Sequence, residues 1–513
     1  VNQQFQKILS ILILAFCPGF LSYSFPADSL KQVQKVFSVL NPIKELQADL
    51  EGILDNPDFA NALVGVEIRS CETGDFIFRK NASKNNIPAS ILKLFTTYTA
   101  LEVLGPNFTY TTNFYLDGVL SKNGEYEGDL IVRGSGDPSI SLNFYENPLD
   151  FIEKLVDKLE YLGIKTLKGN IIGDASYFDN NYYAPGWSNE DLIYPFSAPI
   201  SALSIFDNKV DIYLKPSKEI GDKAAIRIVP DNSFISVENF VKTIGTNINS
   251  GVIPVKNSKY DIFELYGDIQ SDSTNIIEYP ISLSISNPTK FFLSLIKQAI
   301  EARDIKFRGA MLDDEEIEYE IDYKELQPIF QIVSPPLMKI VEIINQKSHN
   351  LAAECLLKTI GKEAFGTGSF SKGIEKIKET VSKLGIPPEN LQIFDGSGLS
   401  RYNLLQPKYI VDLLYQTYIS DLRELFINSL AQPFKDGSLK RRMTHSKAEK
   451  NVFAKTGSMN NVSNLCGYVR SKDGEYLAFA IMINNYILPE SLAQNLQDII
   501  CMRLASFTRK PEQ

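Results

Sequence analysis

Apolar and polar positions change rhythm several times along this chain, and each change predicts an element. Residues 30–55 repeat at helical spacing. Ala62–Ser70 and Asp75–Lys80 read as two strands joined across Glu72-Thr73-Gly74, a turn signal. After Pro88, the apolar residues Ile91, Leu94, Phe95, Tyr98, Leu101 and Leu104 fall three and four apart, and Gly105 closes the run; this predicts an amphipathic helix. From about 110 to 290 the texture is many short β-like runs separated by Gly, Pro, Asn and Asp. Helical patterns return at Leu337–Lys347 and Leu351–Ile360, with Ser348-His349-Asn350 between them. Asn451–Thr456, Asn464–Arg470 and Tyr476–Asn484 read as three more strands, and Leu488–Ser506 as a final helix. Strands and helices at both ends predict one α+β domain closed by the two ends of the chain. The β-rich middle is then an insertion.

A different pattern opens the chain. Ile8–Phe16 read ILSILILAF, with only Ser10 polar. Lys7 stands before the run, Cys17-Pro18-Gly19 breaks it, and Ser22-Tyr23-Ser24 offers small residues for cleavage. This layout predicts a secretory signal peptide over residues 1–24, a mature start near Phe25 and a periplasmic location. The run is shorter than the roughly 20 residues of an integral membrane span.

Composition narrows the classes. At roughly 100–200 residues per domain, 513 residues suggest about three domains. The apolar share of 44% and charged share of 22% exclude a wholly disordered, collagenous or coiled-coil chain. A net charge of −10 argues against a general nucleic-acid binder. The only histidines are His349 and His445, which disfavours a multi-histidine zinc site or a hydrolase built on a histidine base. Without Cys17, four cysteines remain: Cys71, Cys355, Cys466 and Cys501. None are in a C-x-x-C spacing, so they are either buried thiols or, in an oxidising compartment, pairs of one of three connectivities.

The chemistry points to serine. The nucleophile elbow G-x-S-x-G occurs nowhere. A lysine can activate a serine instead when the two stand as S-x-x-K at a helix start, since positions i and i+3 share a face. The helix N-terminus then adds N–H groups for a developing oxyanion. Two such tetrads exist. Ser90-Ile91-Leu92-Lys93 opens the helix after Pro88. Ser369-Phe370-Ser371-Lys372 follows Gly366-Thr367-Gly368 and reads as a glycine-rich loop without a helix, so Ser90 is the expected nucleophile. Ser348-His349-Asn350 lies between two helices, where polar side chains can enter a cleft. Lys455-Thr456-Gly457-Ser458 ends a strand; Lys455 and Thr456 suit a carboxylate, and Gly457 allows close approach of backbone.

In this order, S-x-x-K, S-x-N and K-T-G form the signature of penicillin-binding proteins and serine β-lactamases. The chain further resembles the class C low-molecular-mass penicillin-binding proteins, the D-alanyl-D-alanine carboxypeptidase/endopeptidase family. The similarity lies in Asp395-Gly396-Ser397-Gly398-Leu399-Ser400-Arg401, Gly134-Ser135-Gly136-Asp137-Pro138, and Asp174-Ala175-Ser176-Tyr177-Phe178. Ala184-Pro185-Gly186-Trp187, Ser197-Ala198-Pro199 and Asp436-Gly437-Ser438-Leu439 add to it. One departure is Asn460, where the family commonly has glutamine.

The resemblance implies a serine transpeptidase/β-lactamase-like catalytic domain, an antiparallel sheet with helices, over 25–103 and 325–513. It also implies an inserted domain over 104–215 and 280–324, with a second one nested at 216–279. Ser90 is expected to attack a D-Ala-D-X carbonyl and Lys93 to take its proton. Ser348, Asn350 and Lys455 would orient Lys93 and relay a proton to the leaving amine. Lys455, Thr456 and Ser458 would hold the terminal carboxylate, with Gly457 beside it. Asp174 is implied to meet the amino group of the peptidoglycan diamino acid, and Arg401 and Ser438 to line the cleft. No metal or cofactor is implied. The expected partners are peptidoglycan stem peptides and β-lactam antibiotics. Two alternatives share Ser90 and Lys93: a serine β-lactamase or esterase, and a non-catalytic wall-binding β-lactam sensor.

Overall fold

The two ends of the chain meet in one sheet. The computed structural model describes residues 42–256, 261–271 and 279–510, so the signal peptide expected at 1–24 lies outside the described residues. Five antiparallel strands run in the order Val452–Met459, Val462–Arg470, Tyr476–Asn484, Leu63–Ser70, Phe76–Lys80. The first strand of the chain pairs beside the last, from Leu63 opposite Asn484 to Ser70 opposite Leu477.

Alternation along the strand Tyr476–Asn484 explains how both faces are covered. Successive side chains point to opposite faces. Leu477, Phe479, Ile481 and Ile483 join a core with Leu46, Leu50 and Leu504, from a helix over 42–54 and the C-terminal helix Glu490–Ser506. Ala478, Ala480 and Met482 face the other way, into a core with Phe95, Leu356 and Ile410. The small alanines let the helix Pro407–Tyr418 pack close. The second core also takes in the helices Lys93–Leu104, Leu337–Lys347 and Asn350–Phe365, which carry the first two sequence motifs.

The middle of the chain has its own core. One inserted sheet holds seven strands, among them Thr111–Leu120, Glu125–Arg133 and Ile171–Asp174. Its last strand, Phe330–Val333, pairs with Thr111–Leu120, so this sheet extends past the boundary expected at residue 324. Four residues before Ser334-Pro335-Pro336 are too few to register as a strand pattern. Ala225–Val229 likewise pairs with Lys209–Lys215 and so joins the outer insert, while a four-stranded sheet over 236–270 forms the nested unit. Cys71, Cys355, Cys466 and Cys501 are all buried free thiols.

Candidate active site

A short 3-10 turn, Ala89–Leu92, runs directly into the helix Lys93–Leu104. Ser90 therefore stands one turn ahead of Lys93, on the same face. The turn is backed by a strained residue: Ala89 has φ of +48°, a left-handed conformation costing roughly 1–3 kcal/mol in a non-glycine residue. Its surroundings hold it there. Asn464 Nδ2 donates to the carbonyls of Ile87 and Pro88 at 3.0 and 2.8 Å, and the Ile87 N–H donates to Asn484 Oδ1 at 2.7 Å. On two sides only glycine fits. A Cβ on Gly398 would lie 1.9 Å from the Ala89 carbonyl oxygen, and one on Gly457 would lie 2.8 Å from that of Pro88. The absence of a side chain at Gly457 is what lets the K-T-G strand, at the edge of its sheet, lie against the nucleophile turn.

Lys93 is fully buried. Its Nζ lies 2.9 Å from Ser90 Oγ, 2.6 Å from Asn350 Oδ1 and 2.7 Å from the carbonyl of Ser397. Burial pushes its pKa down from the usual 10.5 to about 7, against the pull of the Glu354 and Asp395 charges. Lys455, also fully buried, donates to the Thr456 carbonyl at 3.0 Å. Burial, and then the charge of Lys93, holds it well below the ordinary lysine range. The amide of Asn350 is oriented from both ends, because its Nδ2 donates to the Phe196 carbonyl at 2.7 Å.

Sequence reasoning missed the residues beneath Lys93. Buried Glu354 accepts from the N–H groups of Gly396 and Ser397 at 2.8 and 2.7 Å, so it fixes the loop whose carbonyl holds Lys93. Asp395 accepts from the N–H groups of Gly398 and Ser400, from Asn403 Nδ2 and from Trp187 Nε1, at 2.5–3.0 Å. Four donors make that carboxylate the hub of the Asp395–Ser400 loop, and Trp187 ties it to the insert. The one available signal was Glu354 itself, a charge in an otherwise apolar stretch of helix, one turn after Asn350.

The remaining candidates divide. Ser90, Ser348, Asn350, Arg401, Ser458 and Asn460 line one cleft of about 510 Å³. Ser438, Thr456 and Ser458 line an adjoining hollow. Ser348, held at φ of +62°, lines the cleft but hydrogen-bonds neither Lys93 nor Lys455. Asp174 is not brought to the cleft. It is 5% exposed, and its carboxylate accepts from Ser176 N–H and Oγ and from the Tyr323 hydroxyl, with Arg133 Nε at 3.5 Å. A buried carboxylate so fully partnered has no free face for an incoming ammonium. The second tetrad also differs from expectation. Ser369 does open a helix, Phe370–Ser382, as its N-cap, but its hydroxyl accepts from the Lys372 N–H while Lys372 Nζ turns away to Glu375.

Known proteins are similar to this chain over most of their length. A D-alanyl-D-alanine carboxypeptidase of Actinomadura sp. strain R39 is 29% identical over 476 residues, covering 91% of this chain and 85% of that protein. A penicillin-sensitive carboxypeptidase A of Dictyostelium discoideum is 28% identical over 473 residues, covering 86% of this chain and 87% of the relative. The crystal structure of penicillin binding protein 4 (dacB) from Haemophilus influenzae is similar with a TM-score of 0.75 at 25% identity, over 88% of this chain and 98% of that one. Residues 46–506 match the model of the D-Ala-D-Ala carboxypeptidase 3 (S13) family, and the chain belongs to that family.

Proposed function

We propose that Ser90 is the nucleophile and neutral Lys93 its general base in an acyl transfer from D-Ala-D-X peptides of peptidoglycan. The three partners of Lys93 Nζ carry this reading. Asn350 Oδ1 and the Ser397 carbonyl can only accept, so they take two N–H bonds. A neutral amine then has one lone pair left, and it points at the Ser90 hydroxyl. Attack by Ser90 Oγ on the scissile carbonyl passes the hydroxyl proton to Lys93. The N–H groups of Ser90, at a helix start, and of Ser458, on an edge strand, stabilise the oxyanion. The proton taken up by Lys93 is returned to the leaving amine, with Ser348, which lines the cleft beside Ser90, as the relay between them once substrate fills the cleft, and Lys93 is neutral again. Lys455, Thr456 and Ser458 hold the terminal carboxylate, and Arg401 and Ser438 contact substrate further along the cleft. Water releases the acyl group from Ser90.

β-Lactams present a strained amide to the same serine and acylate it. Incubating the protein with isolated muropeptides and weighing the products tests the reading: loss of a D-Ala residue or opening of a crosslink is expected, and unchanged masses overturn it. Among the described residues no helix is long and apolar enough to cross a membrane. We place the mature protein in the periplasm on the evidence of residues 8–24, and N-terminal sequencing of the exported protein is expected to start near Phe25.

Two further outcomes follow from the geometry. Gly398→Ala pushes a methyl group into the Ala89 carbonyl and shifts Ser90. A displacement of about 1 Å at a reacting centre costs on the order of 100-fold, so fluorescent-penicillin labelling slows by at least that much, and the melting temperature falls as well because the methyl meets backbone atoms and Gly398 has φ of +84°. A wild-type labelling rate contradicts it. Asp174→Ala, which unlinks Tyr323 and Ser176 within the insert, lowers turnover of a stem peptide and acylation by penicillin alike. A loss confined to peptides bearing a free diamino-acid amine returns Asp174 to substrate recognition.

A further inference from the structure

Asp207 stands at the apex of a turn in which three consecutive residues, Phe206, Asp207 and Asn208, have φ of +52°, +56° and +54°. A run of left-handed non-glycine residues persists only where its surroundings enforce it. Here the Phe206 N–H donates to the Ile140 carbonyl at 2.9 Å and the Ile285 N–H to that of Asn208 at 3.1 Å. Asn208 Nδ2 donates to the Pro199 carbonyl and to Ser204 Oγ at 2.9 and 3.0 Å. The result is a carboxylate carried by the insert and set into the wall of the catalytic cleft.

Both oxygens of Asp207 are engaged. Oδ2 accepts from Asn143 Nδ2 at 3.0 Å, and Oδ1 lies 3.0 Å from His349 Nε2. Lys209, the nearby cation in that wall, is held by both oxygens of Asp211. His349 is the middle residue of Ser348-His349-Asn350 and the N-cap of the helix Asn350–Phe365, where its Nδ1 accepts from the Ala352 N–H at 3.1 Å. A ring nitrogen that accepts carries no proton. The proton therefore sits on Nε2, which donates to Asp207.

We propose that Asp207 is a positioning residue for the reaction: it selects the Nε2–H tautomer of His349, so that Nδ1 caps the helix and holds Ser348 and Asn350 against the reaction centre. The proposal rests on the Ser90–Lys93 reading above. Asn350 Oδ1 lies 2.6 Å from Lys93 Nζ, so a helix start that loses its cap and rotates reaches the base directly. The insert thus orders the S-x-N motif, although every chemical motif lies outside it in sequence.

The chain contains only His349 and His445, so nitrogen-15 spectra of histidine-labelled protein show two imidazoles, and His445→Gln assigns them. In the wild type at pH 7.5, His349 is expected as the neutral Nε2–H form. Asp207→Ala is expected to mix the tautomers and slow penicillin acylation about tenfold, with labelling still reaching completion at Ser90. Asp207→Asn keeps an acceptor for Nε2–H and is expected to hold both tautomer and rate within about threefold of wild type. The proposal is overturned by a wild-type His349 that is charged or protonated at Nδ1, by Asp207→Ala with wild-type tautomer and rate, or by equal losses in the Asn and Ala variants. Failure of the wild type to label at Ser90 instead overturns the reading of the active site.

Discussion

Ser90→Ala abolishes covalent labelling by a fluorescent penicillin and lowers peptidase turnover by four to six orders of magnitude, while Ser369→Ala leaves both near wild type. Removing a serine nucleophile from a working site costs on the order of a million-fold in kcat, and Ser90 is the serine whose hydroxyl lies beside the buried Lys93 amine. Ser369 heads an identical spacing, with its lysine amine at Glu375 and its hydroxyl used as a helix cap. Loss of that cap costs about 1 kcal/mol, so Ser369→Ala lowers the melting temperature by a few degrees without touching the chemistry. Labelling that survives Ser90→Ala and vanishes with Ser369→Ala reverses the assignment.

The comparison of the two tetrads shows what the sequence could and could not disclose. Helix context alone does not separate Ser90 from Ser369, because both serines start helices. What separates them is the third-dimensional partner of each lysine: Asn350 and Ser397 lie far along the chain from Lys93, and no local pattern brings them in. The strands and helices of the catalytic domain were legible because their periodicity is long and their ends are marked, as at Pro88 and Gly105. The edges of the insert were not, because Phe330–Val333 is too short to carry a period and finds its place only by pairing with Thr111–Leu120. Asp174 failed in the opposite way. A carboxylate in a recognisable motif suggests a ligand, but Tyr323, Ser176 and Arg133 occupy it, and two of those three are distant in sequence. Glu354, Asp395, Asn464 and Asn484 shape the site from buried positions, and their role is visible only once the loops they hold have been folded onto one another.

Penicillin acylation of the wild type rises about tenfold per pH unit up to a pH near 7 and is level above it, whereas Lys93→Arg is slower by two to four orders of magnitude and shows no such rise. The profile follows from the neutral amine. Burial brings the Lys93 pKa from 10.5 down to about 7. Below that value the amine is protonated, the lone pair facing Ser90 is gone, and the rate falls with the remaining neutral fraction. Arginine stays charged throughout the accessible range, so it offers no base at any pH, and loss of a general base is worth about 10²–10⁴. The same shift has a thermodynamic counterpart of fixed sign. Between pH 7 and 10.5 the unfolded chain holds a proton at Lys93 that the folded chain has released, so this group's contribution to stability increases as pH rises through that window and is lost as pH falls back toward 7. Lys93→Met removes that slope. Stopped-flow acylation and denaturant titrations across the same pH range measure the two effects separately. A rate limb centred near pH 10, or a stability slope unchanged in Lys93→Met, excludes a lysine that is neutral at physiological pH and with it the proposed base.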